Sequence, residues 1–112
     1  MRKTLAAVLT AGFLTAACSP VQHPESVAPV ATNMVSIVDN AYNPPHIVVN
    51  RGQTVTWTNN GNLPHTVTSY DRLFGSGNIA PGQTYNYRFL RRGSYRYYCD
   101  YHSNMQGIVD VR

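Results

Sequence analysis

From Met34 to Val111 the chain is a succession of short runs in which apolar and polar residues alternate, each closed by turn-forming residues. Thr54-Val55-Thr56-Trp57-Thr58 puts Val55 and Trp57 on one face. Tyr85, Tyr87 and Phe89 share a face, as do Tyr95, Tyr97 and Cys99. A period of two is the mark of a half-buried strand, because successive side chains leave opposite sides of the backbone. Further runs lie at Val35, Ile37 and Val38, at Ile47-Val48-Val49, at His65 to Thr68 and at Gly107 to Val111. Asn43-Pro44-Pro45, Asn50-Arg51-Gly52-Gln53, Asn59-Asn60-Gly61-Asn62, the Gly75 to Gly82 stretch and Arg92-Gly93 separate them. No helix-period segment of useful length stands in this region. The pattern predicts an all-β domain, an antiparallel Greek-key β-sandwich of about seven to eight strands.

The N-terminus reads differently. Met1-Arg2-Lys3 precedes an apolar run from Leu5 to Ala17, 13 residues ending in small side chains. That is too short for a membrane span, which needs about 20, and has the form of a secretory signal. Leu14-Thr15-Ala16-Ala17-Cys18 resembles the lipobox of bacterial lipoproteins, in which the Cys becomes the acylated N-terminus. Cleavage after a small residue to give a soluble form is the alternative. Residues 18–33 carry Pro20, Pro24 and Pro29 without apolar periodicity and read as a Pro-rich linker reaching about 3 Å per residue. His23, within it, reads as solvated. The expected organisation is thus a signal peptide over 1–17, a linker over 18–33 and a folded domain over 34–112. It implies an exported, periplasmic protein, with Cys18 as the membrane tether if acylated.

Charge narrows the partners. Of nine basic residues Arg2 and Lys3 leave with the signal, so seven face five acids and the balance is +2, not +4. That is too little for a nucleic-acid footprint. Arg88, Arg91, Arg92 and Arg96 crowd one stretch and read as a solvated rim, with a docking patch for an acidic partner as the rival reading.

Cysteine usage points to chemistry. An exported chain with two Cys would by default form a disulfide. Cys18 stands at the signal boundary, however, leaving Cys99 a lone thiol in an oxidising compartment unless something holds it. Tyr98-Cys99-Asp100-Tyr101-His102-Ser103-Asn104-Met105 sets a thiolate, an imidazole and a thioether at three-residue steps. A second imidazole, His65, follows Pro64 at the start of another predicted strand. Cys and two His in a plane with a weak axial Met form the ligand set of a mononuclear copper electron-transfer site. Cys99 ends a strand, and a return turn to Ile108 would bring His102 and Met105 around the same centre. Gly107 is expected to supply tight backbone geometry there.

These segments resemble the cupredoxins of the plastocyanin, pseudoazurin and amicyanin group, over Met34 to Arg112. The matching stretches include Tyr42-Asn43-Pro44, Gly52-Gln53-Thr54-Val55-Thr56-Trp57, Pro64-His65-Thr66-Val67, Pro81-Gly82-Gln83-Thr84-Tyr85 and Gly93 to Cys99. The two-residue gaps of Cys99-x-x-His102-x-x-Met105 are similar to amicyanin. The resemblance implies a blue-copper carrier holding one type 1 copper ion, with His65, Cys99 and His102 equatorial and Met105 axial. It also implies a monomer that meets redox partner proteins transiently, through an apolar patch for which Leu63, Pro64 and Tyr101 are candidates. Two positions depart from the family: Thr66 stands where Asn is frequent, and Asp100-Tyr101 stand where Pro is often found.

A copper chaperone or store using the same residues is the alternative function. It would want an exposed, Met- and His-rich site, and only one Met lies here. No catalytic residues are read. A multicopper enzyme needs additional His ligands, and only His23 and His46 remain, the latter expected at the surface.

Overall fold

The computed structural model describes residues 23–112. The signal-peptide reading of 1–17 and the tether at Cys18 lie outside the described residues. Among the described residues nine strands run in chain order: β1 (Val30–Ala31), β2 (Met34–Val38), β3 (Ala41–Asn43), β4 (His46–Val49), β5 (Thr54–Asn59), β6 (Thr68–Ser69), β7 (Thr84–Arg88), β8 (Gly93–Tyr98) and β9 (Gln106–Val111). They form two sheets, ordered β1-β4-β9-β8-β6 and β3-β2-β5-β7. Among the described residues no helix is long and apolar enough to cross a membrane.

The all-β sandwich read from the sequence is present, but its sheets are mixed rather than antiparallel. β1 with β4, β4 with β9, and β2 with β5 pair in parallel. Consecutive strands mostly enter opposite sheets, so two strands of one sheet can return in the same direction. Alternation reports which face is buried, not the direction of the neighbour. The predicted strand from His65 to Thr68 is also shorter than expected. His65 makes only an isolated bridge to Ile79, and regular pairing begins at Thr68.

The core is the sum of the inward faces. Val35, Ile37, Val55 and Trp57 from one sheet meet Ile47, Val49, Tyr97, Val109 and Val111 from the other, all buried. Tyr97 lies edge-on to Tyr42 at 4.7 Å and to Trp57 at 5.5 Å, a preferred arrangement of aromatic quadrupoles. Burial pushes the phenols of Tyr42 and Tyr97 well above the ordinary tyrosine range. Gly107 pairs with Tyr97 across β8 and β9. A Cβ at Gly107 would stand 2.2 Å from the Tyr97 ring, so glycine is required for close approach and not for the special backbone geometry expected from the sequence.

The segment read as linker is, from residue 23 on, part of the fold. Pro24–Ser26 form a 3-10 turn, and β1 adds to β4 with Val30 opposite Ile47 and Ala31 opposite Val48. β4 would otherwise present unpaired backbone groups at the sheet edge, and β1 covers them. Asn33 donates its side-chain N–H to the Thr54 carbonyl at 3.0 Å, and Arg96 pairs with Glu25 at 2.7 Å. His46 is half-buried rather than superficial, its Nε2 2.7 Å from Asp110 Oδ2 and its Nδ1 3.2 Å from the Val27 carbonyl. A sequence without apolar period can still dock when its backbone completes a sheet.

Arg96 and a backbone N–H hold the Glu25 carboxyl below its usual range. A depressed folded-state value stabilises the docked strap above the unfolded carboxyl's pKa and loses that contribution as pH falls through the folded one. Acidification is therefore expected to lower the protection of the Val30 and Ala31 amides, exchange being referred to the unfolded-chain rate at the same pH, before protection in β8 and β9 changes, with Glu25→Gln showing the lower strap protection already at neutral pH.

Candidate metal centre

The sheet ends converge at one pole of the sandwich. Tyr97 and Cys99 point inward from β8 and its continuation, and both are fully buried. The loop after Cys99 is closed by its own backbone: Met105 N–H donates to the His102 carbonyl at 2.9 Å, and Cys99 N–H to the Met105 carbonyl at 3.2 Å. His65 arrives from the other side. Its N–H and carbonyl exchange bonds with Ile79 at 3.1 and 2.8 Å, so its backbone is clamped before the side chain is considered. Asn59, buried at the end of β5, donates to the Leu63 and Ile79 carbonyls at 2.8 Å each and accepts from Gly61 N–H at 2.9 Å. That side chain shapes the loop carrying Pro64 and His65. The sequence marked Asn59 only as a turn residue.

One donor atom from each of His65, Cys99 and His102 lies within 4.8 Å of the others. Cys99 Sγ is 3.8 Å from His65 Nδ1 and 3.6 Å from His102 Nδ1. An imidazole nitrogen about 2.0 Å and a thiolate about 2.3 Å from one late first-row ion stand about 3.8 Å apart at 120°. The observed separations match that trigonal arrangement. His65 and Cys99 are wholly buried and His102 is half-buried, so the group has one edge toward solvent.

Around the sulfur, hydrogen bonds tie the two loops together. Thr66 N–H points at Cys99 Sγ at 3.4 Å. Asp100 N–H donates to Thr66 Oγ1 at 2.8 Å, the Thr66 and Thr68 hydroxyls are 2.9 Å apart, and Thr68 donates to Asp100 Oδ2 at 3.1 Å. Tyr42, from the opposite sheet, donates its hydroxyl to the Thr66 carbonyl at 2.6 Å. The Thr66 hydroxyl thus bridges the loops, and Asp100 is part of the bridge rather than a loose charge.

Asp39 was not foreseen. It sits in the two-residue loop between β2 and β3, and its Oδ1 is 2.9 Å from His65 Nε2. The bond from His65 and the N–H groups of Asn62 and Leu63 hold its carboxyl below the usual range. Its sequence signal, an acid closing a strand, is shared with many solvated turns.

Met105 is buried, its carbonyl accepting the Cys99 N–H. Leu63 and Pro64, just before His65, and Tyr101, just before His102, are exposed. The arginines do not form one rim: Arg96 pairs with Glu25, whereas Arg88, Arg91 and Arg92 lie exposed at the end of β7 and the turn into β8, the pole opposite Cys99. His23 is exposed, and His46 belongs to the strap contact.

Residues 6–111 match the family described as the cupredoxin-like domain. The chain belongs to that family. Among its relatives, amicyanin of Paracoccus denitrificans is 32% identical, the match covering 99% of this chain and 95% of that one. Plastocyanin of Scenedesmus fuscus is 30% identical over 84 residues, 63% of this chain and 86% of the relative. Among solved structures, the purple cupredoxin from Nitrosopumilus maritimus superposes with a TM-score of 0.70 at 29% identity, covering 72% of this chain and all of that one. The cofactor of such a cupredoxin is one copper ion, and the His65, Cys99 and His102 cluster is suited to a type 1 site.

Proposed function

We propose that this cupredoxin carries single electrons between partner proteins by cycling copper between Cu(II) and Cu(I). His65, Cys99 and His102 would hold the copper, with Met105 as a fourth, weak donor. The observation that supports this most is the trigonal spacing of two Nδ1 atoms about one buried sulfur. Copper would supply the one-electron couple; the chain supplies donors carried on loops tied down by hydrogen bonds. The clamped His65 backbone, the closed turn from Cys99 to Met105 and the Thr66–Asp100 bridge fix the donors from both loops. A cage that keeps its shape in both oxidation states lowers the reorganisation that slows electron exchange.

The half-buried His102 is the exit for the electron, and exposed Leu63, Pro64 and Tyr101 provide an apolar surface for a brief, weak encounter, as redox complexes typically make. We take the protein to be exported and monomeric, with Cys18 its membrane tether when acylated. The burial of Cys99 and His65 disfavours the chaperone alternative, which needs a site that gives up its metal readily.

Repeated reduction and oxidation in the presence of a Cu(I) chelator tests the reading. Retention of the metal and of the blue colour through many cycles is expected; rapid transfer to the chelator would favour the chaperone. Leu63→Glu is expected to slow electron self-exchange by about tenfold with the visible spectrum unchanged, measured by NMR line broadening in mixtures of the two oxidation states.

A further inference from the structure

Asp39 reaches the centre from the sheet that does not carry Cys99. It and Asn40, at φ 76°, form the hairpin loop joining β2 and β3. Its carboxylate collects the N–H of Asn62 at 3.1 Å to each oxygen, the N–H of Leu63 at 3.3 Å and the Nε2 of His65 at 2.9 Å. The loop is shaped around this carboxylate. A Cβ on Gly61 would stand 2.2 Å from Asp39 Oδ1 and 3.0 Å from its Cγ, so only glycine leaves room for it.

A carboxylate only accepts hydrogen bonds, and a neutral imidazole carries its proton on one nitrogen. The atom facing Asp39 must therefore be Nε2–H, which leaves the lone pair of Nδ1 free on the side of Cys99. The His65 ring is wholly buried, and Asp39 fixes which way round it stands. An anion hydrogen-bonded to a ligand also makes that ligand more basic, an effect known from other histidine metal sites.

We infer that Asp39 is a positioning residue for the metal centre: its carboxylate holds His65 as the Nε2–H tautomer and makes the reduction potential lower than a neutral partner would. The potential arm rests on the copper reading above; the tautomer arm does not. The negative charge favours Cu(II), the more positive state, over Cu(I), and the Gly61 backbone is the feature that admits it.

The test uses Asp39→Asn, which keeps an acceptor and removes the charge, and Gly61→Ala, which displaces the carboxylate without altering any ligand or charge. In copper-loaded protein, Asp39→Asn is expected to change the ratio of Cu(II) to Cu(I) affinity by about tenfold, a rise of about 59 mV for one electron. Gly61→Ala is expected to shift the potential in the same direction. Asp100→Asn, which removes a nearby carboxylate bonded to Thr68 rather than to a ligand, is expected to shift it less. In metal-free protein, nitrogen-15 NMR of His65 is expected to show a slowly exchanging Nε2–H that exchanges faster in Gly61→Ala. An unchanged potential in Asp39→Asn, or a His65 proton on Nδ1 in the metal-free chain, would overturn the inference. Failure to bind copper would instead defeat the proposed function and leave the tautomer result standing.

Discussion

Cys99→Ala is expected to abolish the intense blue colour on adding Cu(II) and to leave a folded, nearly colourless protein. The colour of such a centre arises from charge transfer between thiolate and copper, and among the described residues Cys99 is the cysteine that clusters with both imidazoles. A thioether donor such as the one proposed at Met105 binds only weakly and cannot replace it. Losing one buried sulfur costs about 1 kcal/mol or somewhat more of stability, in the range of small core truncations. The thermal transition of the metal-free variant should therefore stay cooperative while visible absorption disappears. Persistent blue colour in Cys99→Ala would place the thiolate elsewhere and remove His65 and His102 from the argument as well.

Gly107→Ala is expected to be the most damaging single methyl in the domain. The added carbon would lie 2.2 Å from Tyr97 Cζ, 2.4 Å from its hydroxyl and 2.7 Å from Cε1. Tyr97 cannot retreat easily, since it is fully buried and packed against Tyr42 and Trp57. Overpacking of this kind costs about 1–3 kcal/mol and occasionally more. For a domain of this size each kcal/mol lowers the midpoint by about 4–8 °C, so a fall of about 4–24 °C is expected by calorimetry. The damage should reach the metal end too, because Tyr97 precedes Cys99 by two residues, at the end of β8. Combining Gly107→Ala with Tyr97→Leu is expected to cost less than the two single effects added, the signature of a shared contact. Strict additivity would show that the methyl is accommodated elsewhere.

The features legible in the sequence were those carried by residue type and short spacing. Val55 and Trp57, or Tyr97 and Cys99, announce a buried face by alternation alone, and the structure buries them. The three-residue step from Cys99 to His102 and the pairing with His65 likewise survive as geometry. What escaped depends on contacts between distant segments. Alternation in β2 and β5 cannot say that the two run parallel. Val30 and Ala31 carry no apolar pattern because they contribute backbone pairing to β4, with both side chains exposed. Asp39 is 26 residues from His65 in sequence, and a carboxylate after a strand looks the same whether it caps a turn or holds a ligand. In the sequence Gly107 reads as the residue for a tight backbone turn, whereas its real constraint is the Tyr97 ring across the ladder. Local rules pick out the residues that cluster; only the packed sheets reveal what orients them.

X-ray absorption at the copper edge of the loaded full chain reads the metal's inner shell itself. One sulfur at about 2.3 Å or slightly less with two imidazole nitrogens at about 2.0 Å is the expected inner shell, with the sulfur absent in Cys99→Ala. A shell of nitrogen and oxygen alone in the unmodified protein would contradict the account.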